Sequence, residues 1–377
     1  MSEESKKIGI TAKILVNFCR VVLGLTFMFS GVVKAIDPVG TQIKISDYLS
    51  AFAMGDVFLD STLLITACLL AGFEILIGAY MLVGAYSRGS SLVMLVAMVI
   101  LTPFTLYVAV NNPVEDCGCF GDALVISNWQ TFYKNVFLLV LAIAVFAGRK
   151  AVVPFINEKR HWAVTLIVTM IAVRFMTGNI NGLPCLDFRP YKVGTDLRTE
   201  ILENMNPALA DFSILDSDMN DLTARILTDS SYTFLLVSPH VENASENNLD
   251  LIDDVFDYCG HYGYNIIGLT SSGDDAIKEW IEEAGAEISF LFCDEIPLKT
   301  MVRANPGLIL LRNGVIVNKW GHARIPSDEN LSGPLDEIEV GQIPAADPFR
   351  TPWAVAALFL LPLLLLVLID RLKSLIQ

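Results

Sequence analysis

Cys117 and Cys119 stand one residue apart in the run Asp116-Cys117-Gly118-Cys119-Phe120-Gly121-Asp122, the one place in the chain where two thiols lie close together. A disulfide across Cys-x-Cys closes a small ring away from relaxed geometry, so it is expected to be strained and comparatively oxidising, with Gly118 making the ring feasible. Asp116 and Asp122 are expected to oppose thiolate formation and raise both thiol pKa values. Three roles stay open for the pair: redox exchange, a structural staple, or metal binding. Metal ranks last because no histidine accompanies the thiols, and no metal site is expected. Cys185, in Leu183-Pro184-Cys185, is a third candidate redox thiol, able to resolve a mixed disulfide. Cys19 and Cys68 fall inside apolar runs and read as small buried hydrophobes, as do Cys259 and Cys293 in a helix and at a strand end.

The compartment of the pair decides its chemistry, because a dithiol persists as a disulfide only outside a reducing cytosol. The 377 residues are 53% hydrophobic, above what an ordinary soluble domain carries, so a membrane protein is expected. Apolar runs at 14–33, 63–83, 92–110, 132–147, 162–176 and 353–369 give six spans. The fourth and fifth are short, with Tyr133, Lys134, Arg160 and Trp162 positioned to sit at the interface. The first is read as a retained span, since no small-x-small cleavage site follows it and Lys34 and Asp37 do. Lys6, Lys7, Lys13, Arg88, Arg149, Lys150, Lys159, Arg160, Arg371 and Lys373 all fall on one side of these spans, which is therefore expected to be cytoplasmic. Both termini are then inside the inner membrane, and the Cys-Gly-Cys loop and residues 177–351 are periplasmic. Most of the 41 acidic residues, and with them the net charge of -15, belong to that outer segment, which argues against nucleic acid or anionic lipid as its partner. Membrane lipid is the partner of the spans.

Within the first two spans, Arg20 and Glu74 need partners, since an isolated charge in hydrocarbon costs several kcal/mol. Both sit roughly 11 to 13 Å from the inner ends of their spans at 1.5 Å per residue, so an Arg20–Glu74 pair is expected. It reads either as a structural clamp or as part of a proton- or quinone-linked site. Gly24, Gly31, Gly72 and Gly78 are small residues that let helices approach, and Thr102-Pro103 should kink the third span.

The run Arg20-Val21-Val22-Leu23-Gly24, then Phe29-Ser30-Gly31-Val32-Val33-Lys34, Gly72-Phe73-Glu74, Gly78-Ala79, the Cys-Gly-Cys-Phe-Gly element and Asn135 resemble the DoxX/MauE superfamily of four-helix membrane proteins over residues 10–150. The Cys-Gly-Cys-Phe-Gly element is most similar to the MauE branch. The resemblance implies a membrane redox role: quinone-linked oxidation of sulfur compounds in DoxX-type members, maturation of a disulfide-rich methylamine dehydrogenase subunit in MauE-type members. A quinone is implied by this similarity alone, and no other cofactor is evident.

Residues 151–180 hold the fifth span, 181–206 a connector with Phe188-Arg189-Pro190, 207–345 a soluble domain, and 352–370 the last span. Strands are expected at 212–215, 233–237, 265–270, 288–292, 307–311 and 315–320, and helices at 247–262, 274–284 and 298–305, with a tight hairpin at Asn313-Gly314. This order resembles a TlpA-type thioredoxin-like domain, with Pro306 at the position that the fold gives to its cis-proline. Where active members carry Cys-x-x-Cys, this chain reads Ser238-Pro239-His240-Val241-Glu242-Asn243. Dithiol exchange by this domain is therefore not expected, and Ser238, Pro239, His240 and Pro306 are read as a surface for a periplasmic protein or peptide. The expected fold is a mostly α membrane protein with six transmembrane helices plus an α/β thioredoxin-like domain. The leading function is a redox-associated or envelope protein-maturation component; its rival is a non-catalytic envelope scaffold, and a transporter is a weaker third. Whether the chain is an enzyme is left open.

Overall fold

A computed structural model of the chain describes residues 9–114, 116–203, 205–209, 212–345 and 347–376. It divides into two units, one formed by the chain up to Ile180 together with Pro348 onward, the other by Asn181–Asp347. In the first unit the apolar runs become α1 (Ile10–Ile36), α3 (Asp60–Val83), α4 (Ser87–Asn111), α5 (Asn128–Ala147), α6 (His161–Ile180) and α11 (Pro352–Ile376). All six are long and apolar enough to cross a bilayer, as a multi-pass membrane protein requires. Between α1 and α3 lies a further helix, α2 (Pro38–Ala51), started by Asp37, whose carboxylate accepts the Gly40 N–H, with Pro38 opening the first turn. It is too short and too polar to span, which is why the hydropathy pattern does not show it.

Helices α1 and α3 run antiparallel in close contact. A Cβ at Gly78 would stand 2.6 Å from Met28 N and 2.9 Å from Gly24 O, and one at Gly31 would stand 2.6 Å from Ile75 N. These glycines set the interaxial distance, because any side chain there would push the backbones apart. Gly72 faces open space and has no such role. Helix α4 runs on through Pro103 without ending there. Helix α11 is tied to the start of α6 by Asp370, which accepts from Arg160 Nη1 at 2.5 Å and from Asn157 N at 3.1 Å, and by the edge-on contact of Phe175 with Phe359.

The expected Arg20–Glu74 pair does not form. Arg20 lies opposite the C-terminal end of α3, donating to Met81 O at 2.5 Å, Leu82 O at 3.0 Å and Val153 O at 3.5 Å, with its guanidinium over the Phe155 ring. Carbonyls at a helix C-terminus lack intrahelical donors and carry partial negative charge, so a guanidinium satisfies them without a carboxylate. Equal depth on the sequence misled because the two helices are offset: the residues that face Arg20 are about eight positions along α3 from Glu74, or about 12 Å.

In the second unit, five strands form one sheet in the order β3-β2-β1-β4-β5, from β1 (Tyr232–Val237), β2 (Asn265–Thr270), β3 (Phe290–Phe292), β4 (Gly307–Arg312) and β5 (Val315–Gly321). β1, β2 and β3 are parallel, and β4 runs antiparallel to both β1 and β5. The central β1 is buried on both faces: Tyr232, Phe234 and Leu236 join one core, Leu235 and Val237 the other. Helices α7 (Thr223–Leu227), α8 (Leu249–Tyr262), α9 (Asp274–Ala284) and α10 (Glu295–Met301) cover these faces. Asn313 and Gly314 both take positive φ in the β4–β5 turn, as a tight hairpin demands. The segment expected as a strand at 212–215 makes only isolated bridges through Leu215 to Asp221 and Phe292.

Residues 181–203 belong to this unit and pack into it. Tyr191 and Leu197 are buried in its core, and Gly194 N, Thr195 O and Leu197 N bond to the backbone of 314–316, covering the outer edge of β5. Lys319, almost wholly buried, donates to Asp187 Oδ2 at 2.9 Å and Tyr191 O at 2.8 Å, and Arg189 donates to the other oxygen of Asp187. Burial pushes Lys319 down to about 8 against the pull of Asp187. Burial acts to raise Asp187, but its two cationic neighbours hold it below the usual carboxylate range.

Gly78→Val should lower stability by about 1–3 kcal/mol through overpacking at the α1–α3 contact. Gly72→Ala should stay within about 0.5 kcal/mol of the parent, since nothing stands within 4 Å of that position. Thermal unfolding in detergent compares the two, and equal losses would contradict the assigned contact.

Candidate functional site

The Cys-Gly-Cys loop is held by backbone and side-chain bonds that each use one residue of the motif. Asp116 accepts the Gly118 N–H at 2.8 Å, and Gly118 takes φ +65°, the left-handed turn that places two cysteines on the same side. Gly121 takes φ +50° and abuts Val33, so a side chain there meets both strain and a wall. Phe120 is buried against Phe29, ring centroids 5.3 Å apart. Asn128, at the start of α5, donates to Asn112 Oδ1 and Val114 O and draws the two ends of the loop together.

Three helices then grip the loop from below and beside. Lys34, near the end of α1, donates from Nζ to Glu74 Oε2, Ser30 Oγ and Cys119 O, each at 2.8 Å. Ser30 donates to the same Cys119 carbonyl at 2.6 Å. The Lys34 and Glu74 side chains are only 7% and 11% exposed, so this is the partner that Glu74 has in place of Arg20. From α2, Lys44 pairs with Asp116 at 2.8 Å and Tyr48 donates to Cys117 O at 3.2 Å. From α5, Lys134 lies over the Phe120 ring at 4.2 Å.

The two sulfurs are 3.2 Å apart and unbonded. The expectation that the aspartates raise both thiols fails for Cys119, and for Cys117 it holds in direction but through other causes; Asp116 is paired with Lys44 and accepts the Gly118 N–H. Cys119 is pushed down to about 6 by the hydrogen bond from Cys117 and by Lys134 and Lys34, against burial and Glu74. Cys117 is pushed up by the same hydrogen bond and by burial. The hydrogen bond between the two sulfurs thus favours ionisation at Cys119 over Cys117.

Beneath the loop, α1 to α5 enclose a cavity of about 660 Å³. Phe27, Leu70, Phe73, Met98, Leu101, Phe104 and Leu138 give it an apolar body, while Lys34, Glu74, Tyr48, Lys134, Asn135 and both cysteines form one polar end. Leu92, Val96 and Ile100 line it and also stand exposed on the outer face of α4, the hydrocarbon-facing side of a bundle. Of the residues singled out in the sequence, Cys117, Cys119 and Glu74 meet here, and Arg20 does not. Lys34, Lys44, Tyr48 and Lys134 were missed as site residues. Thr41, Lys44, Ile45 and Tyr48 repeat at three- and four-residue spacing, the signal of one helical face on α2.

Residues 12–148 match the family model described as Methylamine utilisation protein MauE, just over a third of the chain. Over this segment the chain is similar to MauE. The MauE-like segment comprises α1 to α5, the loop and the whole cavity. No curated protein and no solved structure matches the chain.

Outside it, the residues singled out in the second unit also converge. Ser238 donates to Asn305 Oδ1 at 2.6 Å, Asn305 Nδ2 donates to His240 O at 2.8 Å, and the Asn305–Pro306 peptide is cis. Ser271 Oγ donates to Pro239 O at 2.6 Å. The half-exposed His240 ring lies 3.5 Å from Glu242 and 3.1 Å from Glu295. Cys185 belongs to this unit too, while Cys259 and Cys293 are buried in it and raised to about 12 by burial. Among the described residues no group of three or more His, Cys, Asp or Glu side chains is arranged to hold a metal ion.

Lys34→Met or Glu74→Gln alone should cost about 3–5 kcal/mol by leaving a buried partner uncompensated, and the Lys34→Met, Glu74→Leu double change less than the sum. Arg20→Met combined with Glu74→Gln should be additive within about 0.5 kcal/mol. Double-mutant cycles in detergent measure both couplings.

Proposed function

We propose that the chain is a membrane dithiol–disulfide exchange component in which Cys117 and Cys119 exchange electrons with a protein or peptide thiol partner. The observation that carries the reading is the convergence of the two thiols with Lys34, Lys134 and Tyr48 at the polar end of an apolar cavity. A purely structural staple needs neither a cavity nor a stabilised thiolate. We read the basic ends of the spans as cytoplasmic, which puts the loop and residues 177–351 in the periplasm, where a disulfide can persist.

The cavity also fits a lipid-soluble quinone. Its apolar body suits an isoprenoid tail, and the Lys134 ammonium and the second hydrogen of the Asn135 amide are donors for ring carbonyl oxygens. A quinone supplies a two-electron, two-proton acceptor to a dithiol. The chain's own residues would orient the ring, keep bulk water from the sulfurs, and leave Cys119 ionised.

The second unit supports a thioredoxin-like reading: a central parallel β1–β2 pair, antiparallel β4 and β5, and a cis-proline immediately before β4 beside Ser238. In place of a dithiol it has Ser238 and Pro239, both buried, and the half-exposed His240, so we assign it partner binding centred on His240, with Cys185 as a candidate resolving thiol. The docking-scaffold reading rests on this same polar junction.

Cys117→Ser, Cys119→Ser or both should abolish function, and a single Ser variant should accumulate a mixed disulfide in intact cells, visible on non-reducing gels after acid trapping. Full function in the double variant would leave the scaffold, and substitutions at Ser238 and His240 should then be the damaging ones. Introduced cysteines near 250 should react with an impermeant maleimide from outside and those near 88 and 155 only after permeabilisation; the reverse pattern would invert the topology.

A further inference from the structure

We propose that Lys134 is a positioning residue that holds Cys119 as the thiolate of the pair, making Cys119 the sulfur that leaves when a partner thiolate attacks Cys117. This assignment deepens the exchange reading and rests on it.

Among the described residues, the ammonium groups lining the polar end of the cavity outnumber the carboxylates paired with them. Lys34 is matched by Glu74 and Lys44 by Asp116. Lys134 has no carboxylate partner among the described residues, and its contact is the Phe120 ring, the residue next to Cys119. Among the described residues three ammonium groups thus face two carboxylates, with Lys134 half-buried at the cavity's polar end, and an excess positive charge beside a thiol favours its thiolate. One thiolate restores neutrality and two would overshoot. The groups that face Cys119 are Cys117 from the loop, Lys34 from α1, Lys44 and Tyr48 from α2, Glu74 from α3 and Lys134 from α5; α4 lines the cavity with no titratable group. Lys34 is already held by Glu74, Ser30 and the Cys119 carbonyl, so the ammonium left to answer the sulfur is that of Lys134.

The exchange then has a direction within the pair. A partner thiolate attacks Cys117 Sγ, a partner–Cys117 disulfide forms, the Cys117–Cys119 bond breaks, and its electron pair stays on Cys119 beside Lys134. A second partner thiolate attacks the partner's sulfur in the mixed disulfide, forming the partner's own disulfide and releasing Cys117, which takes a proton. The partner is oxidised by two electrons and the loop is reduced by two. A leaving thiol of low pKa leaves faster, which is what Lys134 contributes.

The test uses the reduced full-length chain in nanodiscs with one loop cysteine at a time. The rate of iodoacetamide capture of the loop peptide is followed by mass spectrometry from pH 5 to 10, each rate normalised to its own high-pH plateau. In the Cys117→Ser background, Cys119 should titrate at least one pH unit below Cys117 in the Cys119→Ser background. Lys134→Met should raise the Cys119 midpoint by one unit or more, about a tenfold loss of thiolate below the midpoint, since one pKa unit is a factor of ten. Lys134→Arg should restore it, and the Cys117 midpoint should shift less than that of Cys119. Lys134→Gln replaces the Met variant if thermal unfolding shows that one to be misfolded. An unmoved Cys119 midpoint in a folded Lys134→Met or Lys134→Gln protein overturns the assignment, even where function still needs both cysteines. Full function of the Cys117→Ser, Cys119→Ser protein instead removes the exchange reading and the leaving-group role with it.

Discussion

An ammonium in a hydrocarbon-walled site must be met by a counter-charge, and the way Lys34 meets this requirement organises the membrane unit. Its three bonds join α1 to itself through Ser30, to α3 through Glu74, and to the loop through the Cys119 carbonyl. The pair can close only because Gly31 and Gly78 let the two helix backbones come within a distance that a single Cβ would forbid. Helix spacing, ion pairing and the placement of the thiols are therefore one constraint. A change at any of the three is felt at the others, since a carboxylate moved away from Lys34 leaves both charges buried and unmatched.

Much of this was legible in the sequence, and the failures have definite physical causes. Six spans followed from runs of hydrocarbon side chains, because burial in a bilayer demands them at every position. The βαβ order and the Asn313-Gly314 hairpin followed from turn chemistry that only a few residues satisfy. Pairing was harder. Depth counted from helix ends put Arg20 level with Glu74, but the offset of α1 against α3 is set by glycine contacts that no single-helix count contains. Lys34 was visible only as part of a family-like run; what gives it its role is Ser30 one turn earlier and a carboxylate 40 residues away. Helix α2 escaped because its apolar and polar residues alternate too evenly for a hydropathy average, although Asp37-Pro38 is a good helix start.

The second unit shows how the same polar chemistry is used when no thiol is present. Asn305 bonds both to Ser238 Oγ and to His240 O, so one amide ties the loop after β1 to the residue before the cis-proline. Ser238, Pro239 and Pro306 are buried in that junction, and what it leaves half-exposed is His240, between two glutamates and with no sulfur beside it. The retained segment 181–203 reinforces the opposite edge of the sheet, where an unpaired β5 would otherwise recruit another strand. The buried Lys319–Asp187–Arg189 cluster fixes that segment to the sheet and gives it one register.

The oxidising character expected of a Cys-x-Cys bridge can be argued from charge alone. A disulfide is a strong oxidant when its reduced form is stabilised, and on the exchange reading Lys134, at the polar end of the cavity, stabilises one thiolate of that reduced form. The same cavity penalises a second negative charge, so Cys117 stays protonated when it is released. Lys44 matters here for a different reason: by pairing with Asp116 it offsets the charge of a carboxylate in the loop itself. On the exchange reading, α2 thus has a chemical role as well as a packing one, and the polarity that hid it from the hydropathy pattern is what lets the loop above it carry a thiolate.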